Sequence, residues 1–337
     1  MAKTYKGADG DDNVQQNNDH PYYNIYTYAG DDTIKLTLGA TYVDAGEDND
    51  TVKSNIESNN DIKLGAGNDT YIGNGFSNSN RYDQVFGNDG NDTFTVATAI
   101  SDYYGDNGKD TFDSAGYWNY FNGGDGKDTI SYQRQDTDDF LSGRGVLVDL
   151  YNKYATTGGG REETLIDIEN AIGTSYDDTI KGGNGNNKLE GMDGKDVLVG
   201  RDGDDKLIGG NNGDNLFGGD DADKLIGGKG QDLLEGDSGS DTFIFQSIKD
   251  SAVGDKRDVI TDFSQSNNEK IDLSQIDAID GGDDAFTFIG TQAFSHTAGE
   301  LRFKNGILSG DVDGDGSADF QVQVDNHDTL KAGDFIL

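Results

Sequence analysis

Aspartate recurs every nine residues between Gly173 and Ile244, a stretch built of eight consecutive nonapeptides. Each nonapeptide opens with glycine, and its sixth residue is aspartate in every repeat but one, where Asn187 replaces it. Carboxylate oxygens and the carbonyl oxygens of glycine-rich turns are hard ligands, and Ca²⁺ takes about six to eight of them. The spacing therefore predicts a row of calcium-binding turns.

The candidate ligands of this stretch are the sixth-position aspartates and, in several turns, a second aspartate three residues earlier. They are Asp178, Asp193, Asp196, Asp202, Asp205, Asp214, Asp220, Asp223, Asp232 and Asp241. Carboxylates stacked from turn to turn repel one another unless a cation lies between them. We therefore expect calcium binding and folding to be a single event.

Each repeat divides into a glycine-rich turn and an extended tripeptide with an apolar residue at its centre. Neighbouring side chains of a strand point to opposite faces, so the central residues point inward and build a narrow core. They are Ile180, Leu189, Leu198, Leu207, Leu216, Leu225, Leu234 and Phe243. The pattern predicts an all-β chain that folds as a parallel β-roll, a right-handed β-solenoid.

Residues 1–131 repeat the same pattern less regularly. Their predicted inward positions are Val14, Ile25, Ile34, Val43, Val52, Ile62, Tyr71, Val85, Phe94, Tyr103, Phe112, Phe121 and Ile130. Acidic turns come only at every second turn, and they add the candidate ligands Asp9, Asp12, Asp32, Asp50, Asp69, Asp89, Asp92, Asp110, Asp125 and Asp128. A longer interval predicts a loop near Gly75 to Arg81.

The turns between these acidic ones define a second edge of the predicted first solenoid. At the equivalent position they carry Tyr23, Thr41, Asn60, Asp83, Ser101 and Asn119. Since most of these residues are neutral, we predict one calcium-binding edge and one largely calcium-free edge.

The charge and composition limit the partners of this chain. With 64 acidic and 26 basic residues the net charge is −38, which excludes nucleic acid as a partner and favours cations. A chain with 50 glycines and this charge falls among disordered polypeptides when no calcium is bound. There is no cysteine, so disulfides and thiolate sites are excluded. No apolar stretch reaches the length of a transmembrane segment or signal peptide.

The nonapeptide pattern G-G-x-G-x-D-x-U-x resembles the calcium-binding repeat of RTX (repeats-in-toxin, haemolysin-type) proteins. The segment VLVDL and the later IENAIGTSYDDTI resemble the lead-in to the calcium roll of secreted RTX proteins. The last hundred residues, with GDVDGDGSADF and the closing DFIL, resemble the C-terminal flank of serralysin-type metalloproteases. This resemblance implies a type I secretion signal and export from a Gram-negative bacterium by an ABC transporter complex, giving a secreted, extracellular protein.

These patterns predict four segments. Residues 1–131 form a degenerate N-terminal β-roll, 132–172 form connecting strands, 173–244 form the regular roll, and 245–337 form a β-rich flank. Within the flank, alternating residues predict strands at Asp258–Phe263, Glu269–Asp277 and Gly299–Phe303. The stretch Asp311–Asp319 matches part of an EF-hand loop, but Val322 stands where the bidentate Glu is required, so a further calcium site and a plain Asp/Gly turn both remain open.

No catalytic motif accompanies the repeats. The three histidines do not form H-E-x-x-H, and G-x-S-x-G is absent. We predict a calcium-binding protein with a structural, matrix or adhesion role and no enzymatic activity. A membrane-active, pore-forming protein is an alternative, because the chain also resembles the non-enzymatic RTX nodulation proteins of rhizobia, and a polysaccharide-active enzyme with an unrecognised site is another. The aromatic residues around Trp118 either bind a glycan or cell-surface partner or fill a wider coil.

Overall fold

The structure, a computed structural model, describes residues 3–17, 20–55, 59–74, 82–137, 143–158, 160–279 and 284–337. The loop predicted near Gly75 to Arg81 lies outside the described residues. The chain divides into two compact units, Met1–Ile172 and Gly173–Leu337. The described parts are strands, turns and two short 3-10 segments, Gln133–Thr137 and Ala332–Asp334. They include no helix with the length and apolar character that a membrane crossing requires.

The first unit contains two parallel sheets whose strands alternate along the chain. One sheet holds β1 (Lys3–Lys6), β3 (Tyr22–Tyr26), β5 (Tyr42–Glu47), β7 (Asp61–Ala66), β9 (Gln84–Asp89), β11 (Asp102–Gly108), β13 (Tyr120–Gly126) and β17 (Arg161–Ile166). The other holds β2 (Asn13–Gln15), β4 (Thr33–Leu36), β6 (Thr51–Ser54), β8 (Thr70–Gly73), β10 (Thr93–Val96), β12 (Thr111–Ser114), β14 (Thr129–Ser131) and β18 (Asn170–Ile172).

The predicted inward residues of the first unit are confirmed, since all thirteen are at most 2% exposed. Parallel register places like residues over one another, as where Phe94 stacks on Phe112 with ring centroids 4.8 Å apart. Tyr103 stacks on Phe121 at 5.4 Å. Aromatic side chains in the core of the first unit therefore stack from coil to coil. The sequence missed a second inward residue two positions later, such as Leu36 or Leu64, which is also fully buried.

The segment predicted as connecting strands also adds a coil to the first solenoid. Strands β15 (Leu147–Asp149) and β16 (Tyr154–Thr157) form an antiparallel meander with β17. In β17, Leu165 lies opposite Phe121, and in β18, Ala171 lies opposite Ile130. The division of the chain into four segments of distinct role stays a prediction.

The second unit repeats this architecture. One sheet contains β19 (Thr179–Lys181), β21 (Val197–Asp202), β23 (Asn215–Asp220), β25 (Leu233–Ser238) and β27 (Asp258–Ile260). The other contains β20 (Lys188–Asp193), β22 (Lys206–Asn211), β24 (Lys224–Lys229), β26 (Thr242–Ile244), β28 (Lys270–Asp272) and β33 (Phe335–Ile336). All eight predicted inward residues have no exposed surface, which confirms the parallel β-roll.

The flank extends both sheets of the second unit. The strands predicted in it are present as β27, β28 and β30 (Glu300–Lys304). Strand β32 (Phe320–Val324) joins β27 in parallel, and β31 (Ile307–Asp311) and β30 follow it as an antiparallel meander, with β29 (Thr287–Phe288) beside β30. The flank is therefore part of the same β-structure as the repeats.

A buried carboxylate, Glu163, closes the neutral edge of the first unit. It is 1% exposed, and it accepts hydrogen bonds from the Ser114 hydroxyl (3.0 Å), the Tyr132 hydroxyl (3.0 Å) and the Asn119 amide (3.2 Å). Burial raises the pKa of Glu163 to about 7 against these opposing hydrogen bonds. In the folded unit the neutral and charged forms of this group are therefore about equally populated at neutral pH, whereas in the unfolded chain the charged form dominates.

Replacing Glu163 by Gln tests this balance. Because the pKa is higher in the folded than in the unfolded chain, the group favours folding below about pH 4.5, and this contribution is lost as the pH rises to about 7. Relative to Glu163→Gln, the parent should lose up to roughly 3 kcal/mol of unfolding free energy over that interval. Urea unfolding with calcium present, at pH 5 and pH 7.5, measures the difference, and parallel pH profiles for the two proteins would contradict it.

Candidate calcium-binding turns

The sixth-position aspartates form a hydrogen-bonded ladder along each acidic edge. Within a ladder, the backbone N–H of one residue donates to Oδ1 of the aspartate one coil later, as from Asp92 to Asp110 (2.7 Å) and from Asp110 to Asp128 (2.7 Å). In the second unit the same bond joins Asp196 to Asp214 and Asp214 to Asp232, both at 2.9 Å. The ladder fixes every carboxylate against the next coil.

The other oxygen of these carboxylates is buried and has no hydrogen-bond partner. This holds for Oδ2 of Asp32, Asp50, Asp69, Asp92, Asp110, Asp128, Asp196, Asp214, Asp223, Asp232 and Asp241. Their residues are at most 2% exposed. A buried ionised oxygen without a partner is strongly unfavourable, and such charges are normally paired or bound to metal.

The first glycine of the turn leaves room beside this oxygen. A Cβ built on Gly105 would lie under 3.0 Å from both Asp110 Oδ2 and the carbonyl oxygen of Gly123 in the next coil. The same convergence occurs at Gly191 with Asp196, and it recurs along the second unit. An ionised carboxylate oxygen and a carbonyl oxygen are both acceptors and cannot hydrogen-bond each other, so a cation satisfies both when the carboxyl group is ionised. An all-oxygen set with a carboxylate fits Ca²⁺.

Three turns of the first unit lack the glycine that opens the turns described above, and a residue with a side chain takes its place. Thr27, Ala45 and Leu64 stand there, all without exposed surface, and the Thr27 hydroxyl donates to the Ala45 carbonyl at 2.8 Å. The fit to a cation is therefore clearest in the turns that begin with glycine.

In the first turn of each acidic edge, a backbone N–H of the same turn donates a hydrogen bond to the sixth-position side chain. Asp12 accepts from the backbone N–H of Ala8 (3.1 Å), and Asp178 accepts from that of Thr174 (2.6 Å). Asn187, the exception to the acidic series, accepts from Gly183 in the same way (2.7 Å). Each of these residues is the first member of its ladder, and its backbone N–H donates to the aspartate of the following coil.

Burial raises the pKa of the ladder carboxylates, and neighbouring aspartates in most cases add to the shift. The pKa rises to about 7 for Asp50, Asp92, Asp128, Asp196 and Asp223, to about 8 for Asp214, and to about 6 for Asp69, Asp110, Asp232 and Asp241. The ladder hydrogen bond opposes the shift in each case. Without a cation, protons therefore compete for these oxygens near neutral pH.

The third-position candidates lie outside this buried row. Asp9, Asp89, Asp125, Asp193, Asp202 and Asp220 are all exposed. Asp89 accepts from the Asn107 amide at 2.7 Å on the turn surface. The structure thus brings the sixth-position residues together with the glycine carbonyls and places the third-position ones toward solvent.

The neutral edge of the first unit shows that the ladder does not need charge. The N–H of Thr41 donates to Asn60 Oδ1 (3.1 Å), and that of Ser101 donates to Asn119 Oδ1 (3.0 Å). Tyr23 is 37% exposed and lies outside this row. Since amide oxygens accept the same coil-to-coil hydrogen bond, this bond alone does not explain why the other edge carries carboxylates.

Sequence reasoning missed three buried or half-buried acidic residues outside the repeats, of which two continue a ladder and the third, Glu269, is placed beside Asp241 by strand pairing. The N–H of Asp128 donates to Glu169 Oε2 (2.8 Å), and that of Asp232 donates to Asp258 Oδ1 (2.9 Å). Glu269, directly before β28, is 1% exposed and has a buried oxygen without a partner. Each precedes or begins a strand that extends the roll, and this is the signal that could have found them.

The partial EF-hand match forms a compact turn between β31 and β32. Asp311 accepts from the backbone N–H groups of Gly314 (2.8 Å) and Gly316 (3.0 Å). Asp311, Asp313 and Asp315 bring carboxylate oxygens within 4.8 Å of one another, while Val322 is buried in the core. The carboxylates thus hold the turn itself, and calcium binding there stays a prediction.

Comparisons with known proteins identify the repeats. A family model described as the RTX calcium-binding nonapeptide repeat matches four times, over residues 24–53, 81–96, 172–207 and 208–243. The chain carries RTX calcium-binding repeats. Multiple Ca²⁺ ions are the ligands of such motifs. The turns of Asp92, Asp196, Asp214 and Asp223 lie within the matched residues, whereas those of Asp110 and Asp128 lie outside them.

One solved structure and the curated proteins complete the comparison. The crystal structure of extracellular lipase LipA from Serratia marcescens matches 81% of this RTX repeat chain at 17% identity with a TM-score of 0.22. The chain spans 40% of the length of that lipase. No curated protein matched.

Filling one glycine cradle should remove a calcium ion. In Gly105→Ala the new methyl group would occupy the space between Asp110 Oδ2 and the Gly123 carbonyl, so native mass spectrometry at saturating calcium should count about one ion fewer. Gly10→Ala is the matched control, because nothing lies within 4 Å of a Cβ there. An unchanged count for Gly105→Ala would show that this space does not hold the ion.

Proposed function

We propose that this chain is a secreted calcium-binding protein whose β-rolls fold when calcium binds outside the cell. The observation that carries the proposal is the row of buried Oδ2 atoms without a partner, beside an otherwise complete amide-type ladder. In this proposal the buried sixth-position aspartates are the direct ligands. The exposed third-position aspartates raise the negative potential around the turns and attract cations.

The carboxylate rows support coupling between binding and folding. Each row places buried carboxylates one coil apart over several coils. Their raised pKa values mean that ionising these groups destabilises the calcium-free fold. Calcium sites of extracellular modules are weak and fill at the concentrations found outside cells. Export by a type I secretion ABC transporter complex, which the serralysin-like flank suggests, would carry the chain unfolded to that calcium.

A structural, matrix or adhesion role accords best with the described residues. Solenoids offer long regular surfaces and fold coil by coil. Outside the ladders, the strongly perturbed carboxylate Glu163 is enclosed by Ser114, Asn119 and Tyr132, so no substrate reaches it. We therefore propose no catalytic role, and no specific observation favours pore formation.

Circular dichroism with calcium and with EDTA tests the coupling. The calcium-loaded chain should be strand-rich, and EDTA at pH 8 should abolish most of that signal because the bare carboxylates repel. Magnesium is the control cation, since its demand for octahedral geometry and tightly held water makes it a poor substitute. A chain that stays fully strand-rich in EDTA at pH 8 would contradict the proposal.

Acid should partly replace calcium. The ladder pKa values of about 6 to 8 exceed the unfolded value of 3.8, so the calcium-free fold is favoured at low pH and loses stability as the pH rises through that range. In EDTA, strand content should therefore be higher at pH 5 than at pH 8. Calcium affinity should change in the opposite direction, and a titration at both pH values checks the two signs.

The adhesion surface is proposed at the aromatic turn of the first unit. Trp118 is 57% exposed, its indole lies edge-on to Tyr117 at 5.1 Å, and Arg161 lies 4.0 Å over the Tyr117 ring. Exposed aromatic faces stack on the apolar faces of sugars. Trp118→Ala should reduce retention on a panel of immobilised polysaccharides at least tenfold, whereas Tyr151→Ala, at a residue 56% exposed, should not. Equal retention of both variants would remove this surface from the proposal.

A further inference from the structure

Each acidic row of the second unit ends beside an acidic residue from outside the nonapeptides. On one edge Asp258 accepts the ladder bond of Asp232. On the other edge the pairing of β26 with β28 places Glu269 beside Asp241. Residues 258 and 269 belong to the flank, which the repeat pattern does not cover. Each of the two residues places one carboxylate oxygen in the protein interior without a hydrogen-bond partner.

Asp258 repeats the arrangement of the array aspartates. Its Oδ1 accepts the Asp232 N–H at 2.9 Å, and its own N–H donates to the Ser251 hydroxyl at 2.8 Å. Ser251 is fully buried and donates onward to the Gln321 carbonyl. The ladder is thereby closed with a neutral hydroxyl, yet Asp258 Oδ2 remains buried without a partner in a residue that has no exposed surface.

Asp232 presents a second such oxygen one coil away. Its Oδ2 is buried without a partner, and the residue is 1% exposed. Two neighbouring carboxylates therefore each leave one oxygen bare inside the protein. An amide at residue 258 would satisfy the same ladder bond, as Asn60 and Asn119 do on the neutral edge of the first unit.

Glu269 supplies the equivalent group on the opposite edge. Its Oε2 accepts the Ser264 N–H at 2.7 Å, and its Oε1 is buried without a partner. Asp241 Oδ2, in the last nonapeptide, is bare in the same way. Asp262 adds a third carboxylate, which holds the turn through the N–H groups of Gly236 (3.0 Å) and Asp237 (2.7 Å).

We propose that Asp258 and Glu269 are calcium ligands that complete a terminal cation site on each edge of the second roll, with Asp232 and Asp241 as their respective partners. The flank is thereby attached to the roll through shared ions as well as through strand pairing. This inference rests on the proposed calcium-dependent folding, and it extends calcium binding to two residues outside the repeats.

The isosteric variants Asp258→Asn and Glu269→Gln test the inference in the full chain. Each keeps the hydrogen-bond acceptor, for the Asp232 N–H in one case and the Ser264 N–H in the other, and removes the charge. A role as a hydrogen-bond acceptor alone therefore predicts no effect. The proposal predicts one bound calcium ion fewer per variant in native mass spectrometry at saturating calcium. It also predicts faster hydrogen exchange of β27 in Asp258→Asn and of β28 in Glu269→Gln at half-saturating calcium.

Two controls separate this inference from the proposed function. Asp255→Asn removes the same charge at an exposed position three residues from Asp258 and should leave the calcium count unchanged. Asp214→Asn removes a carboxylate from the middle of the array and should lower the count by one. If Asp214→Asn lowers the count while Asp258→Asn and Glu269→Gln do not, the terminal sites are overturned and the proposed function stands. If the parent binds no calcium, both fail.

Discussion

A buried carboxylate oxygen that no hydrogen-bond donor reaches is the constraint on which this structure depends. It recurs at Asp50, Asp110 and Asp128 in the first unit and at Asp196, Asp214 and Asp223 in the second. Because parallel register places equivalent residues over one another, the same unsatisfied oxygen is repeated coil after coil. The regular stacking that builds the apolar core also concentrates this charge. A bound cation would offset it on the acidic edge of the first unit and on both edges of the second.

The neutral edge of the first unit serves as an internal comparison. There the uncharged side chains of Asn60, Ser101 and Asn119 accept the coil-to-coil hydrogen bond, so the solenoid itself does not require aspartate at the sixth position. Asp83, also buried in that row, is the acidic exception. The acidic edges therefore combine two functions in one side chain, with Oδ1 holding the stack and Oδ2 available to an ion.

Much of this arrangement could be predicted from the sequence, because a strict nine-residue repeat determines the register of the parallel strands. Leu198, Leu207 and their equivalents, the acidic row and the strands of the flank all followed from spacing. The second inward position, filled by Leu36 or Leu64, was missed because glycine occupies it in the regular repeats. Asp258 and Glu269 were missed because they lie in a coil of different length. Only the three-dimensional structure shows that Asp258 continues a ladder and that strand pairing places Glu269 beside Asp241.

The most direct test is a crystal structure of the full chain in calcium, with anomalous diffraction to locate the ions. The account predicts anomalous peaks beside Oδ2 of Asp110, Asp196, Asp214 and Asp223, and none along the row from Asn60 to Asn119. Ordered acidic turns with no anomalous peak in saturating calcium would contradict the central claim.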